Sequence, residues 1–470
     1  MFRCPGQSWN DDPVPSLKGP PIGQSPMRLD ALRACLEGET PGVIATCASD
    51  GTPNVSYLSQ MQYIDPSHLA LSFQFFNKTR ANVLANPMAR LMVIHPVSGS
   101  LYRLTVCYRR TETEGPLFEA MRARLACIAS HTGMADVFRL RGADVYEVLD
   151  IELAHGSAVA SVSELSRVSS LRRVISEIDA RADLNQLLTR VLNALCTAFQ
   201  IRHAMLLLLD VRASRLYTVA SIGYRDSGVG SEIALGAGVV GVAAQSGTPI
   251  RLSRATAAYA YGHSIRNAAE RLGTAGLLET AIPLPGLPVA GSQLAVPIPI
   301  DGQTAGVLFV ESPEDLRFSY DDEDALVTLA AHVGLTMHLI QMREDAEPDR
   351  APPVPTIEPR ITGTPVRVRH YAADDSVFLD DEYLIKGVAG AIFWALVSDH
   401  STSGRVGFSN RELRLDPRIR LPDIGDNLEA RLVLLARRLV DRRACVQIEK
   451  TGRGRFDIKV LRPLHLTQVR

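Results

Sequence analysis

The chain has 470 residues, of which 46% are hydrophobic and 21% charged, and its formal net charge is −1. This composition excludes a disordered chain, and the length suits about three domains. The near-zero net charge excludes a molecule that is basic throughout but leaves room for a local basic patch.

Residues 1–26 are rich in Pro, Gly and Ser, lack an apolar core and read as a flexible arm without a signal peptide. No stretch approaches the ~18 uninterrupted apolar residues of a membrane span, so no membrane contact and a cytoplasmic location are expected. Cys4, Cys35, Cys47, Cys107, Cys127, Cys196 and Cys445 form no CxxC pair. That spacing predicts no metal site, and an odd, scattered set fits a reducing compartment.

The first segment, 27–156, opens on a short helix, "MRLDALRACLEG". Two strands then flank Asp50-Gly51, a favoured hairpin dipeptide. "HLALSFQFF", "ARLMVIHPV" and "YRLTVCYRRTETEG" read as further strands, "PLFEAMRARLACIASHTG" as a helix and "VYEVLDIELAHGSAV" as a closing strand. Antiparallel strands with few helices predict a small barrel in an α+β domain. Where the third strand ends, "FFNKTRANVLANP" turns abruptly from apolar to basic. A helix starting there presents free amides and the positive end of its dipole. With Lys78, Thr79 and Arg80 beside them, the corner is either a phosphate-sized anion site or a solvated basic turn.

In 157–180, the apolar residues Val162, Leu165, Val168, Leu171, Ile175 and Ile178 recur every three or four positions. This predicts a connector helix that pairs with its copy in a dimer or packs on its own domain. The second segment, 181–345, begins with a helix whose apolar face is Leu184, Leu187, Leu188, Val191, Leu192, Leu195 and Phe199. Strands "HAMLLLLD" and "RLYTVASIG", a Gly-rich turn at 236–252, a loop at 279–293, a hairpin through Asp301-Gly302 and a closing helix follow. Gly236, Gly238 and Gly241 lack the βαβ setting of a dinucleotide loop. Residues 346–365 are rich in Pro and charge and read as an extended linker.

The third segment, 366–470, is predicted to be helical and then strand-forming. "EYLIKGVAGAIFWALVSDH" reads as a long helix, and "FSNRELRLD" as a short one capped by Ser409. "DNLEARLVLLARRLVD" reads as an amphipathic helix with Asp426 and Glu429 at capping-box spacing. Leu428, Leu432, Leu435 and Leu439 are expected inside, and Asn427, Arg431 and Arg438 outside. "CVQIEKTGRGRFDIKV" is a hairpin with a basic tip. Residues 403–470 hold 16 Lys and Arg against 8 Asp and Glu, a basic local balance.

These pieces carry three resemblances. "DGTPN", the strand running into "NKTR", and "VLANPMARL" resemble the pyridoxamine 5'-phosphate oxidase-like split-barrel flavoproteins over 35–150. The resemblance implies a dimer with FMN at the subunit interface. It assigns Lys78, Thr79, Arg80 and Asn77 to the flavin phosphate, and Tyr57, Ser59 and Gln74 to the ring. "NVSYLS" stands where authentic oxidases of that family carry Arg-x-x-Leu-Leu-Lys, so the family's oxidase chemistry is not implied. Relatives of this barrel also hold haem or another flavin-like cofactor, and for haem His95 and His131 are the histidines to weigh. "LGAGVVGVAAQSGTPIRL", "LAVPIPIDGQTAGVLFVES" and "FSYDDEDALVTLAAHVGLTM" resemble a GAF domain and specify no ligand. "FSNRELR", "DNLEARLVLLARRL" and "IEKTGRGRFDIKV" resemble the winged helix of response-regulator transcription factors, as positioning helix, recognition helix and wing.

The sequence therefore predicts a multidomain α+β protein: an antiparallel split β-barrel, a GAF α/β sensor-like domain and a winged helix-turn-helix. The function it implies is that of a dimeric, flavin-type sensory transcription regulator. DNA would meet Asn427, Arg431 and Arg438 in a groove and Arg453 and Arg455 on the wing. The alternative is an FMN-dependent oxidoreductase with regulatory domains.

Overall fold

The computed structural model describes residues 28–36, 42–58, 60–73, 78–131, 140–158, 167–178, 183–252, 282, 284–345, 363–419, 421 and 428–469; for 126–131 and 344–345 it describes the backbone alone. The arm 1–26, the Asp426 cap, residues 161–166 of the connector and all but the last three residues of the linker lie outside these. The chain divides into two compact units, Met1–Leu165 and Ser166–Arg470.

The first unit starts with a 3-10 turn, Leu29–Leu36, and builds seven antiparallel strands. These are β1 (Gly42–Cys47), β2 (Pro53–Leu58), β3 (Met61–Asp65), β4 (His68–Phe73), β5 (Met88–Ile94), β6 (Leu101–Glu112) and β7 (Gly142–His155). Helix α1 (Lys78–Ala85) joins β4 to β5, and α2 (Pro116–His131) joins β6 to β7. The strand order is β2-β1-β5-β6-β7-β4-β3. The run 52–65, expected as a single strand, is broken after Leu58, and its halves pair at opposite ends of the sheet. Three residue steps separate Leu58 from Met61, a reach of at most ~11 Å. Outer strands of a flat seven-stranded sheet would lie ~29 Å apart. The sheet must therefore curl until its two edges meet. Its interior is filled by Ile44, Met61, Leu69, Leu91, Val93, Tyr102, Leu104, Val106 and Tyr146, each almost fully buried.

In the second unit, six antiparallel strands follow the order β10-β9-β8-β13-β12-β11. They are β8 (His203–Asp210), β9 (Arg215–Ile222), β10 (Glu232–Ala234), β11 (Ile250–Leu252), β12 (Ser292–Ile300) and β13 (Gln303–Ser312). Helices α3 (Arg167–Glu177), α4 (Leu184–Phe199) and α6 (Tyr320–Asp345) share one core with this sheet through Val174, Leu188, Leu195, Leu206, Leu308 and Leu329. In α3 the stripe residues Leu171 and Ile178 pack partly against this core and Val168 is exposed, while Val174, outside the expected stripe, is buried, and Arg167 pairs with Asp322 at 2.9 Å. The stretch 236–252, expected as a turn, holds a nine-residue helix, α5 (Gly238–Ser246), packed on β11, β12 and β13. Helix α6 includes 24 residues long and apolar enough to cross a membrane, but half of that window is buried, largely against β12.

Residues 366–469 also differ from the expected order. Three strands, β14 (Val366–Tyr371), β15 (Ser376–Leu379) and β16 (Glu382–Ile385), precede the long helix, which starts only at α7 (Gly387–Ser403). The strand β20 (Leu464–Val469) pairs in parallel with β14, giving the order β16-β15-β14-β20. Then come β17 (Gly407–Ser409), α8 (Asn410–Leu415), α9 (Leu428–Asp441), β18 (Val446–Gly452) and β19 (Arg455–Val460). Ser409 caps α8 in a full capping box: its Oγ accepts from the Glu412 amide, and Glu412 Oε2 accepts from the Ser409 amide at 3.1 Å. Ser409→Ala is expected to lower the stability of the second unit by ~1 kcal/mol in a denaturant titration; no change would mean Glu412 holds the turn alone.

The buried core of the second unit runs without a break from Val174 to Val460. Helix α9 lies at the centre of this continuity, touching α7, β16 and β18 on one side and β9 and α4 on the other.

Candidate functional site

The corner anticipated at Asn77–Arg80 forms where β4 ends and α1 begins, next to the edge strand β2. Asn77, Gln74 and Ser59 lie outside the described residues. Lys78 is exposed at the first position of α1. It lies near Asp50, whose carboxyl is held below its usual range chiefly by the Thr52 amide and, to a smaller extent, by Lys78. Thr79 turns inward and is 8% exposed. Asn54 Nδ2 donates to Thr79 Oγ1 at 2.9 Å, and Ser56 Oγ lies 2.7 Å from the same oxygen. Asn54 and Ser56 were not among the expected site residues. Their alternation on β2 places both on the Thr79 side, while Val55 and Tyr57 face out at 65% and 83% exposure.

Arg80 is engaged inside the barrel. Nη1 donates to Asp144 Oδ1 at 2.5 Å, Nη2 donates to Thr111 Oγ1 at 3.1 Å, and the guanidinium lies 4.1 Å from the Phe73 ring centre. Thr111 donates its one proton to Asp144 at 2.5 Å and so accepts from both Arg80 and Tyr108. A guanidinium bound to a buried carboxylate is a structural cation of the barrel, so the corner's exposed positive charge rests with Lys78 and the helix dipole.

These residues fit a phosphate monoester: a cation on a flexible stem, a helix N-terminus, two hydroxyls and a carboxamide meet at one edge. Beside them the side chain of Tyr57 stands almost clear of the protein on an edge strand. Of the two histidines weighed for haem, His95 accepts at Nδ1 from the Ser98 amide at 3.2 Å within its own turn, and burial lowers its pKa.

The second cluster of expected residues is on α9, where Leu428, Leu432, Leu435 and Leu439 are buried as expected but the opposite face is buried too. Arg431 and Arg438, predicted outside, are 5% and 8% exposed. Arg431 donates to Asp210 Oδ2 at 2.8 Å and lies 4.2 Å from the Tyr217 ring centre. Arg438 donates to the Leu384 carbonyl at 2.9 Å. The physical reason is that α9 is covered on both sides, so a face that reads as polar in sequence meets β9 instead of water. Arg453 is exposed at the hairpin tip, Arg455 is half-buried, and Asn427 lies outside the described residues. Along this junction runs a cleft of about 680 Å³, lined in part by Val229, Leu432, Val433, Arg437, Lys450 and Phe456.

Two families match the chain: pyridoxamine 5'-phosphate oxidase over residues 29–155, and GAF domain over residues 181–338. No curated protein matches it. Among solved structures it is similar to the GAF domain of a phosphoenolpyruvate-protein phosphotransferase from Acinetobacter, at 25% identity over 39% of this chain and 98% of that one, TM-score 0.30. It is similar to an FMN-binding protein from Syntrophomonas wolfei subsp. wolfei, at 18% identity over 27% of this chain and 86% of that one, TM-score 0.24. It is also similar to a free methionine-R-sulfoxide reductase from Neisseria meningitidis, at 19% identity over 40% of this chain and 97% of that one, TM-score 0.30.

Proposed function

We propose that this chain, with its pyridoxamine 5'-phosphate oxidase-like module at 29–155 and its GAF domain at 181–338, is a cytoplasmic sensory protein that holds FMN in the barrel and acts on DNA through residues 366–470. The observation that carries the flavin part is the meeting of Lys78, Thr79, Asn54 and Ser56 at the N-terminus of α1. Lys78 and the first-turn amides would hold the phosphate; Tyr57 would cover the ring. Bound FMN supplies a redox-dependent chromophore. The exposed Val55 and Tyr57 on the outer face of β2 support a homodimer that covers them, since exposed apolar patches mark contact surfaces.

The DNA part is supported by the order α7–β17–α8–α9–hairpin and by the basic balance of 403–470.

The visible spectrum of the purified protein, before and after FMN addition, tests the flavin reading. Flavin bands support it, a Soret band moves the site to haem, and a protein that stays colourless with FMN sinks it. Lys78→Gln is expected to weaken FMN about tenfold with the fold intact, because one charge-assisted contact to phosphate is lost. A fluorescence-quenching titration reads this; unchanged affinity would remove Lys78 from the site.

A further inference from the structure

Three carboxylates of the GAF module face three cations of the C-terminal module. Asp210, at the end of β8, holds Arg431 of α9 at 2.8 Å. Glu232 of β10 pairs with Lys386 at 3.2 Å, and Asp183, the cap of α4, lies 3.8 Å from Lys450 of β18, which Glu429 of α9 already holds at 2.6 Å. Between them Arg437 donates to Asn185 Oδ1 at 2.8 Å and to Thr189 Oγ1 at 2.9 Å, and Ser227 donates to Asp441. Arg431 is buried, so the Asp210 carboxylate and the Tyr217 ring replace the water it gives up. Cation against carboxylate, repeated along one seam, is also how a basic surface meets a run of phosphates. The cleft beside the seam shows that the modules do not close on each other everywhere. The seam also holds apolar contacts in a core shared by the two modules, such as Leu434 beside Gly230, so opening it exposes apolar surface as well as the charged pairs.

We propose that the GAF module masks α9: Asp210 holds Arg431, and Asn185 and Thr189 hold Arg437, cations that a DNA duplex would otherwise engage, so the docked state and the DNA-bound state exclude each other. This rests on the DNA reading given above and adds its regulation. Arg453, exposed at the hairpin tip, stays available in the docked state, which therefore retains weak, salt-sensitive binding. Whatever opens the seam raises DNA affinity, and DNA in turn favours the open seam by the same factor.

The test uses the full chain with two readouts: amide exchange across 428–441, and binding of a labelled mixed-sequence duplex of about 30 base pairs at low salt. Asp210→Asn removes the central carboxylate. Asn185→Ala with Glu232→Gln loosens the rim and serves if the first variant misfolds. Either is expected to raise exchange across 428–441 and to tighten duplex binding at least about tenfold, as the competent fraction grows. Saturating duplex should raise exchange there in the parent protein too. Faster exchange with duplex affinity no better than the parent's overturns the masking and leaves the DNA reading standing. Faster exchange with no duplex bound by any form overturns both. Unchanged exchange in both variants shows that these contacts do not hold the seam, and overturns the masking alone.

Discussion

Replacing Asp144 with Ala is expected to destabilise the N-terminal unit by ~3–5 kcal/mol, the range for removing one partner of a buried ion pair. Asp144 is 6% exposed, and its Oδ1 accepts from both Arg80 and Thr111. Its loss leaves a largely buried guanidinium, with 16% side-chain exposure against Phe73, without this carboxylate. The Phe73 ring recovers part of the loss, which favours the lower end of the range. The double variant Asp144→Ala with Arg80→Met should be less destabilised than Asp144→Ala alone, because no orphaned charge remains. Global amide exchange of β4 and β7 across a urea series measures both. A single variant less stable than the double one is the required pattern; the reverse order would show that Arg80 finds another anion and that the pair is not a structural bolt.

Gly334→Ala tests a prediction that runs against helix propensity. In the interior of an exposed helix the change stabilises by up to ~1 kcal/mol. Here Gly334 is buried on α6, and an added Cβ would lie 2.1 Å from the Pro299 carbonyl oxygen and 3.2 Å from Ile298 Cγ2. The obstacle is backbone at a bulge in β12, which cannot rotate away like a side chain. The helix must lift from the sheet, and a net loss of ~2 kcal/mol or more is expected, within the cost of overpacking a core. Leu335→Ala, one residue on and 55% exposed, should be near neutral. Calorimetry of the second unit decides. A stabilised Gly334→Ala would mean that α6 and β12 are not in close contact.

The comparison between sequence and structure turns on how local each signal is. The hairpins at Asp50-Gly51 and Asp301-Gly302 were legible because the turn demands positive φ, found at Gly51, Asp301 and Gly302. The Ser409 cap was legible because donor and acceptor lie three residues apart. The break after Leu58 was hidden: β3 pairs with β4 and β2 with β1, and no local pattern distinguishes one long strand from two short ones. Helix α5 was hidden by its glycines; Gly241 is there because the Ala234 carbonyl leaves no room for a side chain. At the corner, which base of "NKTR" faces solvent depends on Asp144, 64 residues further along. The burial of Arg431 and Arg438 on α9, whose leucine face was legible, was hidden for the same reason. Arginines on one face of a helix read as solvent contacts, unless a distant carboxylate such as Asp210 receives them.

The Arg431–Asp210 pair also limits how the chain can be rearranged. Grafting residues 366–470 onto an unrelated sensor would strand Arg431 without its carboxylate and leave Leu434, 4% exposed beside Gly230, uncovered. A foreign effector joined after the GAF domain would bury Asp210 against nothing complementary. In recombination, the unit that travels intact is 166–470, and a crossover between β13 and β14 requires that Asp210 and Arg431 be exchanged together.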